Sequence, residues 1–243
     1  MSREERRRKR KLKICIFLAV TLLSLAILLH NQILSDVFSP STKGALYRVR
    51  TSQNVVALTF DAVWEPAETG RILDVLDRYQ VRATFFLTGN WVRYNPDLAR
   101  EILIRGHEIG QHSQNHQVLT GLKDEELARE FRLMEETLRE ELNCQAFLFR
   151  PPYGEVNQQV YNYANDRGYT TVLWSIDPHD WLNPGVDQIV SRVIKNLHKG
   201  AIIMFHTSST QAVDALPLII QGLRMKDYSI LTVSQLLELA EMN

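Results

Sequence analysis

The chain has 243 residues, 45% of them hydrophobic and 23% charged, with a formal net charge of zero. That length supports one large domain with its own core. The neutral balance argues against a general nucleic-acid binder, and two cysteines are too few for a disulfide framework.

The N-terminus departs from this average. Residues 3–13, Arg-Glu-Glu-Arg-Arg-Arg-Lys-Arg-Lys-Leu-Lys, are heavily basic, and the remainder of the chain is acidic. Ile14 to Leu29 follows without a single charge. Such a run fits a signal peptide or a short signal anchor. His30-Asn31-Gln32-Ile33-Leu34 offers no clear small-x-small cleavage site, which favours a retained single-pass anchor at 14–29. The basic flank predicts residues 1–13 in the cytoplasm and the domain outside the cell membrane. A cleaved signal peptide would change the attachment but not the compartment. Cys15 lies in the apolar run and Cys144 far from it, so Cys144 reads as a small buried hydrophobe. Residues 30–52 read as a polar linker around Ser39-Pro40-Ser41-Thr42.

From residue 53 to 243, apolar runs alternate with amphipathic stretches. Val55 to Phe60 predicts a buried strand, then a helix from Pro66 to Tyr79. Ala83 to Leu87 predicts a second strand, then a helix from Pro96 to Arg105. Glu108-Ile109-Gly110 is a short third, followed by a long Glu- and Arg-rich helix over Asp124 to Leu142. Phe147 to Phe149, Thr170 to Trp174, Ala201 to Phe205 and Ser229 to Thr232 complete seven strands. Helices are expected after each: Gln158 to Arg167, Val186 to Leu197, Ala212 to Leu223 and Ser234 to Glu241. Strand-helix alternation means a parallel sheet with helical crossovers, and seven units predict an α/β fold of the distorted (β/α)7 barrel kind.

Chemistry in such folds gathers at the carboxyl ends of strands. Asp61 follows the first predicted strand, His112 and His116 the third, and Arg150-Pro151-Pro152-Tyr153-Gly154 the fourth. Asp177-Pro178-His179-Asp180-Trp181 follows the fifth and His206 the sixth. The His112/His116 spacing predicts both rings on one face of a helical turn, able to share a divalent metal. Singly, each residue has a plainer use. An HxxxH pair is more often solvated surface, and Asp61 or Asp180 would serve as helix caps. Arg150 would be a surface ion pair, the Pro-Pro-Tyr-Gly run a rigid turn, and Trp181 and His206 rim packing. Their convergence on one rim is what points to a catalytic site.

The ordered set Thr59-Phe60-Asp61, His112-Ser113-Gln114-Asn115-His116, Arg150 to Gly154, Asp177 to Trp181 and Met204-Phe205-His206 resembles the five motifs of the polysaccharide deacetylases. These are also called NodB-homology domains, or carbohydrate esterase family 4. The first motif, Thr-Phe-Asp-small-x-Trp, looks closest to the sporulation-associated members. The resemblance implies metal-dependent removal of acetyl groups from N-acetylated sugars, with peptidoglycan amino sugars as the expected glycan partner. It implies His112 and His116 as ligands of a divalent metal, zinc first, with cobalt or manganese as alternatives. Asp61 would be the general base, kept ionised by Arg150. The backbone N–H of Tyr153 would hold the oxyanion. His206 would be the general acid, oriented by Asp180, and Trp181 would line the acetyl pocket. His107, His179 and His198 match no ligand position and read as structural or exposed. Trp64, Trp91 and Tyr94 offer either sugar-stacking faces or packing.

One position breaks the pattern. The family's first motif is Thr-Phe-Asp-Asp, whose second Asp is a third metal ligand, and here that residue is Ala62. A methyl cannot coordinate a metal. Either water fills the position, or Glu65 or Glu68 reaches in, or the protein is a catalytically silent glycan binder of the same fold. Retention of Asp61, Arg150, Asp180 and His206 favours hydrolysis, because a binder needs neither base nor acid. An unrelated zinc peptidase is disfavoured by the lack of HExxH.

Overall fold

The computed structural model describes residues 44–240. The basic segment, the apolar stretch at 14–29 and most of the expected linker lie outside the described residues. No helix among the described residues is long and apolar enough to cross a membrane.

Among those residues, seven strands alternate with helices. They are β1 (Val55–Ala62), β2 (Thr84–Leu87), β3 (Glu108–Gln111), β4 (Leu148–Phe149), β5 (Thr170–Thr171), β6 (Ala201–His206) and β7 (Ser229–Leu231). The helices are α1 (Thr69–Arg78), α2 (Gly89–Tyr94), α3 (Pro96–Ile104), α4 (Asp124–Leu142), α5 (Gln158–Asp166), α6 (Val186–Lys195), α7 (Thr210–Met225) and α8 (Val233–Glu238). Every residue of β1 is buried, as befits a central parallel strand covered on both faces. The ladders are all parallel, in the order β5-β4-β3-β2-β1-β6, with β7 pairing the start of β1.

The sheet curls as a half-barrel, and a regular ladder does not close it. The β5 ladder stops after two residues, shorter than the sequence suggests. The chain beyond it joins β6 through an isolated bridge, Ile176 with Ile203. Residues 46–48, expected as linker, take part in this seam by bridging Leu46 to Val172 and Arg48 to Ala201. Val49 N–H donates to the Gly200 carbonyl at 2.9 Å. A side chain at Gly200 would sit 1.8 Å from the Val49 carbonyl oxygen, so only glycine lets the backbones approach.

Local chemistry fixes the helix starts. Thr88 Oγ1 accepts from Trp91 N–H, Asn157 Oδ1 from Val160 N–H and Ser209 Oγ from Ala212 N–H. Three acidic residues, Asp124 to Glu126, occupy the positive end of α4. Helix α2, six residues long, has no counterpart in the sequence reading because it is too short to carry a period.

Between sheet and helices, Phe60 stacks on Phe85 at 5.0 Å and Phe205 at 5.6 Å between ring centroids. All three are fully buried and come from adjacent strands β2, β1 and β6. Phe60→Ala is therefore expected to destabilise the domain by about 3–5 kcal/mol in urea unfolding. A loss below about 1 kcal/mol would mean that this stack does not anchor the strands.

Candidate active site

Strand register sets the site. Asp61 lies opposite His206 in the β1–β6 ladder. Gln111 lies opposite Phe149 in the β3–β4 ladder, so the next residues, His112 and Arg150, leave the sheet side by side. Their backbones are held by Arg150 N–H to the Gln111 carbonyl and His112 N–H to the Leu87 carbonyl. Four predicted residues thus gather on one rim at the carboxyl ends of four strands.

Arg150 is fully buried, not a surface ion pair. Its Nη1 donates to Asp61 Oδ1 at 2.6 Å, and its Nε and Nη2 donate to the carbonyls of Val172 and Leu173. The guanidinium lies over the Phe86 ring at 4.0 Å. Phe86 takes this place because Gly110 leaves room: a Cβ there would meet its ring at 2.5 Å. Asp61 is 5% exposed and caps no helix. Burial alone would raise its pKa, but Arg150, His112 and His206 together hold it below the usual carboxylate range. It is a desolvated carboxylate that stays ionised.

His112 and His116 come together differently from the helical turn that their spacing suggests. The segment is a loop, with Ser113 and His116 in the left-handed region at φ 64° and 54°. The ring centroids are 4.8 Å apart. His112 Nδ1 lies 2.7 Å from the Arg150 carbonyl oxygen, so it carries the proton and leaves Nε2 a bare donor atom. Nε2 lies 3.8 Å from Asp61 Oδ2. Burial lowers the pKa of both rings, that of His116 to about 3, so both are neutral near pH 7.

The loop is held by Glu130 of α4, which the sequence reading did not single out. It is 3% exposed and accepts from the backbone N–H groups of Gln114 and Asn115, at 3.1 and 3.0 Å, and from the Asn115 side chain. Its signal was legible: an acidic residue inside the buried stripe Leu127, Phe131, Met134 of an amphipathic helix.

His206 Nδ1 lies 2.9 Å from Asp180 Oδ1, and His206 N–H donates to Asp180 Oδ2 at 2.9 Å. Asp180 is fully buried. Burial pushes the His206 pKa down, but the hydrogen bond and charge of Asp180, with help from Asp61, raise it above the ordinary imidazole value. Tyr153 sits at φ 60°, a strained position for a bulky residue, with its ring 4.6 Å from that of His116. Trp181 follows Asp180 in a 3-10 turn and stands half exposed beside the rim. His107, by contrast, is structural: buried, and accepting from Ala83 N–H.

The two imidazoles fit a divalent cation as neutral nitrogen donors, and the buried His116 Nδ1 has no hydrogen-bond partner. Among the described residues, no third protein donor joins them. Ala62 is fully buried, and its carbonyl accepts from Thr88. Glu68 is committed to Arg71 and Thr210. Glu65 lines the groove beside His116, yet the described residues contain no group of three His, Cys, Asp or Glu able to hold a metal. Of the proposed substitutes for the lost carboxylate, neither glutamate is in position.

A curled parallel sheet with a buried carboxylate and imidazoles on its carboxyl rim is the architecture of a hydrolytic α/β-barrel domain. The polysaccharide deacetylase family model matches residues 48–172. A peptidoglycan-N-acetylglucosamine deacetylase of Bacillus cereus is 40% identical over 200 residues, covering 79% of this chain and 92% of that protein. The crystal structure of BA3943, a carbohydrate esterase family 4 pseudoenzyme from Bacillus anthracis, superposes with a TM-score of 0.79 at 29% identity, over 83% of this chain and 71% of that one. A mutant of BA3943 described as having restored enzymatic activity superposes equally, at 30% identity, over 83% and 74%. The chain belongs to the polysaccharide deacetylase family.

Asp180→Asn should remove the charge that raises His206, so the His206 titration followed by NMR is expected to move to lower pH. An unchanged midpoint would show that Asp180 does not tune this ring. Glu130→Ala leaves three donors without their acceptor and is expected to destabilise the domain by about 2–4 kcal/mol in urea unfolding. A loss of only a few tenths would show that the loop holds itself.

Proposed function

We propose that the chain is a deacetylase of cell-wall glycan, hydrolysing the N-acetyl groups of peptidoglycan amino sugars. The observation that carries this reading is the pairing of opposite proton-transfer groups on one rim: Asp61 held ionised by Arg150, and His206 held in favour of its proton by Asp180. Asp61 takes a proton from the attacking water, and His206 delivers one to the leaving amine nitrogen. The backbone N–H of Tyr153 serves the oxyanion, and Trp181 borders the acetyl methyl. His112 and His116 would hold a divalent metal, zinc first, which when bound supplies Lewis acidity to water and carbonyl. With two protein donors, that metal is held weakly. The name of the Bacillus cereus relative supports N-acetylglucosamine as the sugar. The uncharged stretch 14–29 behind a basic segment supports a single-pass anchor with the domain outside the cell membrane. The first motif supports a sporulation-associated role.

Ala62 favours a second reading, a silent glycan binder, and the likeness to a family pseudoenzyme supports it. One set of measurements separates the two. Under the first reading, the chain releases acetate from N-acetylglucosamine polymers, and Asp61→Asn slows release at least about 100-fold. Ala62→Asp is expected to tighten zinc or cobalt binding in calorimetry about tenfold or more. If the wild type binds no metal and releases no acetate, while Ala62→Asp gains both, the silent reading holds.

A further inference from the structure

Asp61 and His206 lie within a sheet ladder, and His112 and Arg150 directly follow one. Asp180 has no such support. Strand β5 ends at Thr171, and the chain beyond it meets β6 in the isolated bridge of Ile176 with Ile203. Yet Asp180 has an exacting placement. Both of its carboxylate oxygens go to one residue, Oδ1 lying 2.9 Å from His206 Nδ1 and Oδ2 accepting from His206 N–H at 2.9 Å. A displacement of about 1 Å would break both hydrogen bonds, which weaken steeply with length and angle. Something other than a ladder must hold this carboxylate.

The backbone alone does not. His179, immediately before Asp180, is in the left-handed region at φ 54° and ψ 43°, which a residue with a Cβ enters only at a cost. Asp177 and Arg192 hold it there from outside. Asp177 Oδ1 accepts from His179 N–H at 2.7 Å, and its Oδ2 lies 3.0 Å from His179 Nδ1, so one carboxylate pins both main chain and ring. Arg192, half-buried on α6, donates from Nη1 to the Pro178 carbonyl at 2.8 Å. Leu182 N–H then donates to the His179 carbonyl at 3.1 Å, and the 3-10 turn that carries Asp180 begins. On the inner side, the Asp180 carbonyl accepts from Ser209 Oγ, the cap of α7. The turn is gripped on both sides, and the outer grip comes from side chains bonded to Pro178 and His179.

We infer that Asp177 and Arg192 are positioning residues for proton transfer at His206: they clamp the turn at Pro178 and His179, and so hold Asp180 square to the imidazole. This rests on the proton-donor reading of His206, and it adds a part contributed by α6, outside every motif of the rim. Two effects of changing Arg192 run in opposite directions. Burial lowers the His206 pKa, and the carboxylates of Asp180, Asp61 and Asp177 offset it. Removing the positive charge of Arg192 would by itself raise that pKa, whereas loosening Asp180 would lower it. The clamp therefore predicts a fall where lost charge predicts a rise.

The test titrates His206 by NMR in the full-length chain and measures acetate release from N-acetylglucosamine polymers on the same proteins. Arg192→Met is expected to lower the His206 midpoint by about half a pH unit or more, and Arg192→Lys, which keeps a donor for the Pro178 carbonyl, to restore most of it. Asp177→Ala should lower the midpoint further than Asp177→Asn, which loses the same charge but keeps an acceptor for His179 N–H. A midpoint at or above the wild-type value in Arg192→Met, or equal shifts in Asp177→Ala and Asp177→Asn, would overturn the clamp. Should Arg192→Met fail to fold, the two Asp177 variants decide by the same reading. Acetate release separates this result from the catalytic reading. Where the wild type releases acetate, Arg192→Met is expected to lower kcat about tenfold with KM unchanged. Shifted midpoints in a chain that releases no acetate support the hold on Asp180 and defeat the deacetylase. Acetate release with unmoved midpoints defeats the clamp alone.

Discussion

Arg150 and Asp61 stand 89 residues apart in sequence and meet at 2.6 Å inside the domain. Two charges removed from water are tolerable only if each is fully partnered. Arg150 meets that demand with one carboxylate, two carbonyls from the segment after β5, and an aromatic face from β2. One guanidinium thereby ties the carboxyl ends of β1, β2 and β4 to the chain beyond β5. Removing either charge would strand the other, at about 3–5 kcal/mol. The geometry of the rim is consequently a condition of folding as much as of chemistry.

The same desolvation sorts the imidazoles. His112 and His116 are pressed toward neutrality, whereas His206 is drawn toward its charged form by a buried carboxylate. The linkage to stability therefore has two signs. His206, with a raised pKa, stabilises the fold fully below the unfolded imidazole value of about 6.5, and that contribution fades as pH climbs through its folded pKa. His116 acts oppositely. The unfolded chain binds its proton first, so stability falls as pH drops below about 6.5, toward the folded value of about 3. Acid weakens one side of the rim and base the other.

Much of this was readable in advance. Strand β1 announces itself as an unbroken apolar run, and the long helix α4 runs over the very residues its period suggests, Asp124–Leu142. The rim residues are legible because strand ends are where a parallel fold collects chemistry. Three things were hidden. The His112/His116 spacing mimics a helical turn, but positive φ at Ser113 and His116 makes it a loop, and spacing cannot reveal backbone handedness. Helix α2 is too short to carry a period. The closure of the sheet depends on single bridges between residues distant in sequence, which no local pattern encodes.

That closure has a mechanical side. The chain enters the domain through Leu46 to Val49, and those residues are stitched to Val172, Ala201 and Gly200 across the seam. A pull on the polypeptide upstream of Leu46 would load these few bonds before any full ladder. The seam is thus the fuse of the domain. It would part first under tension, and it runs along β6, the strand that ends in His206.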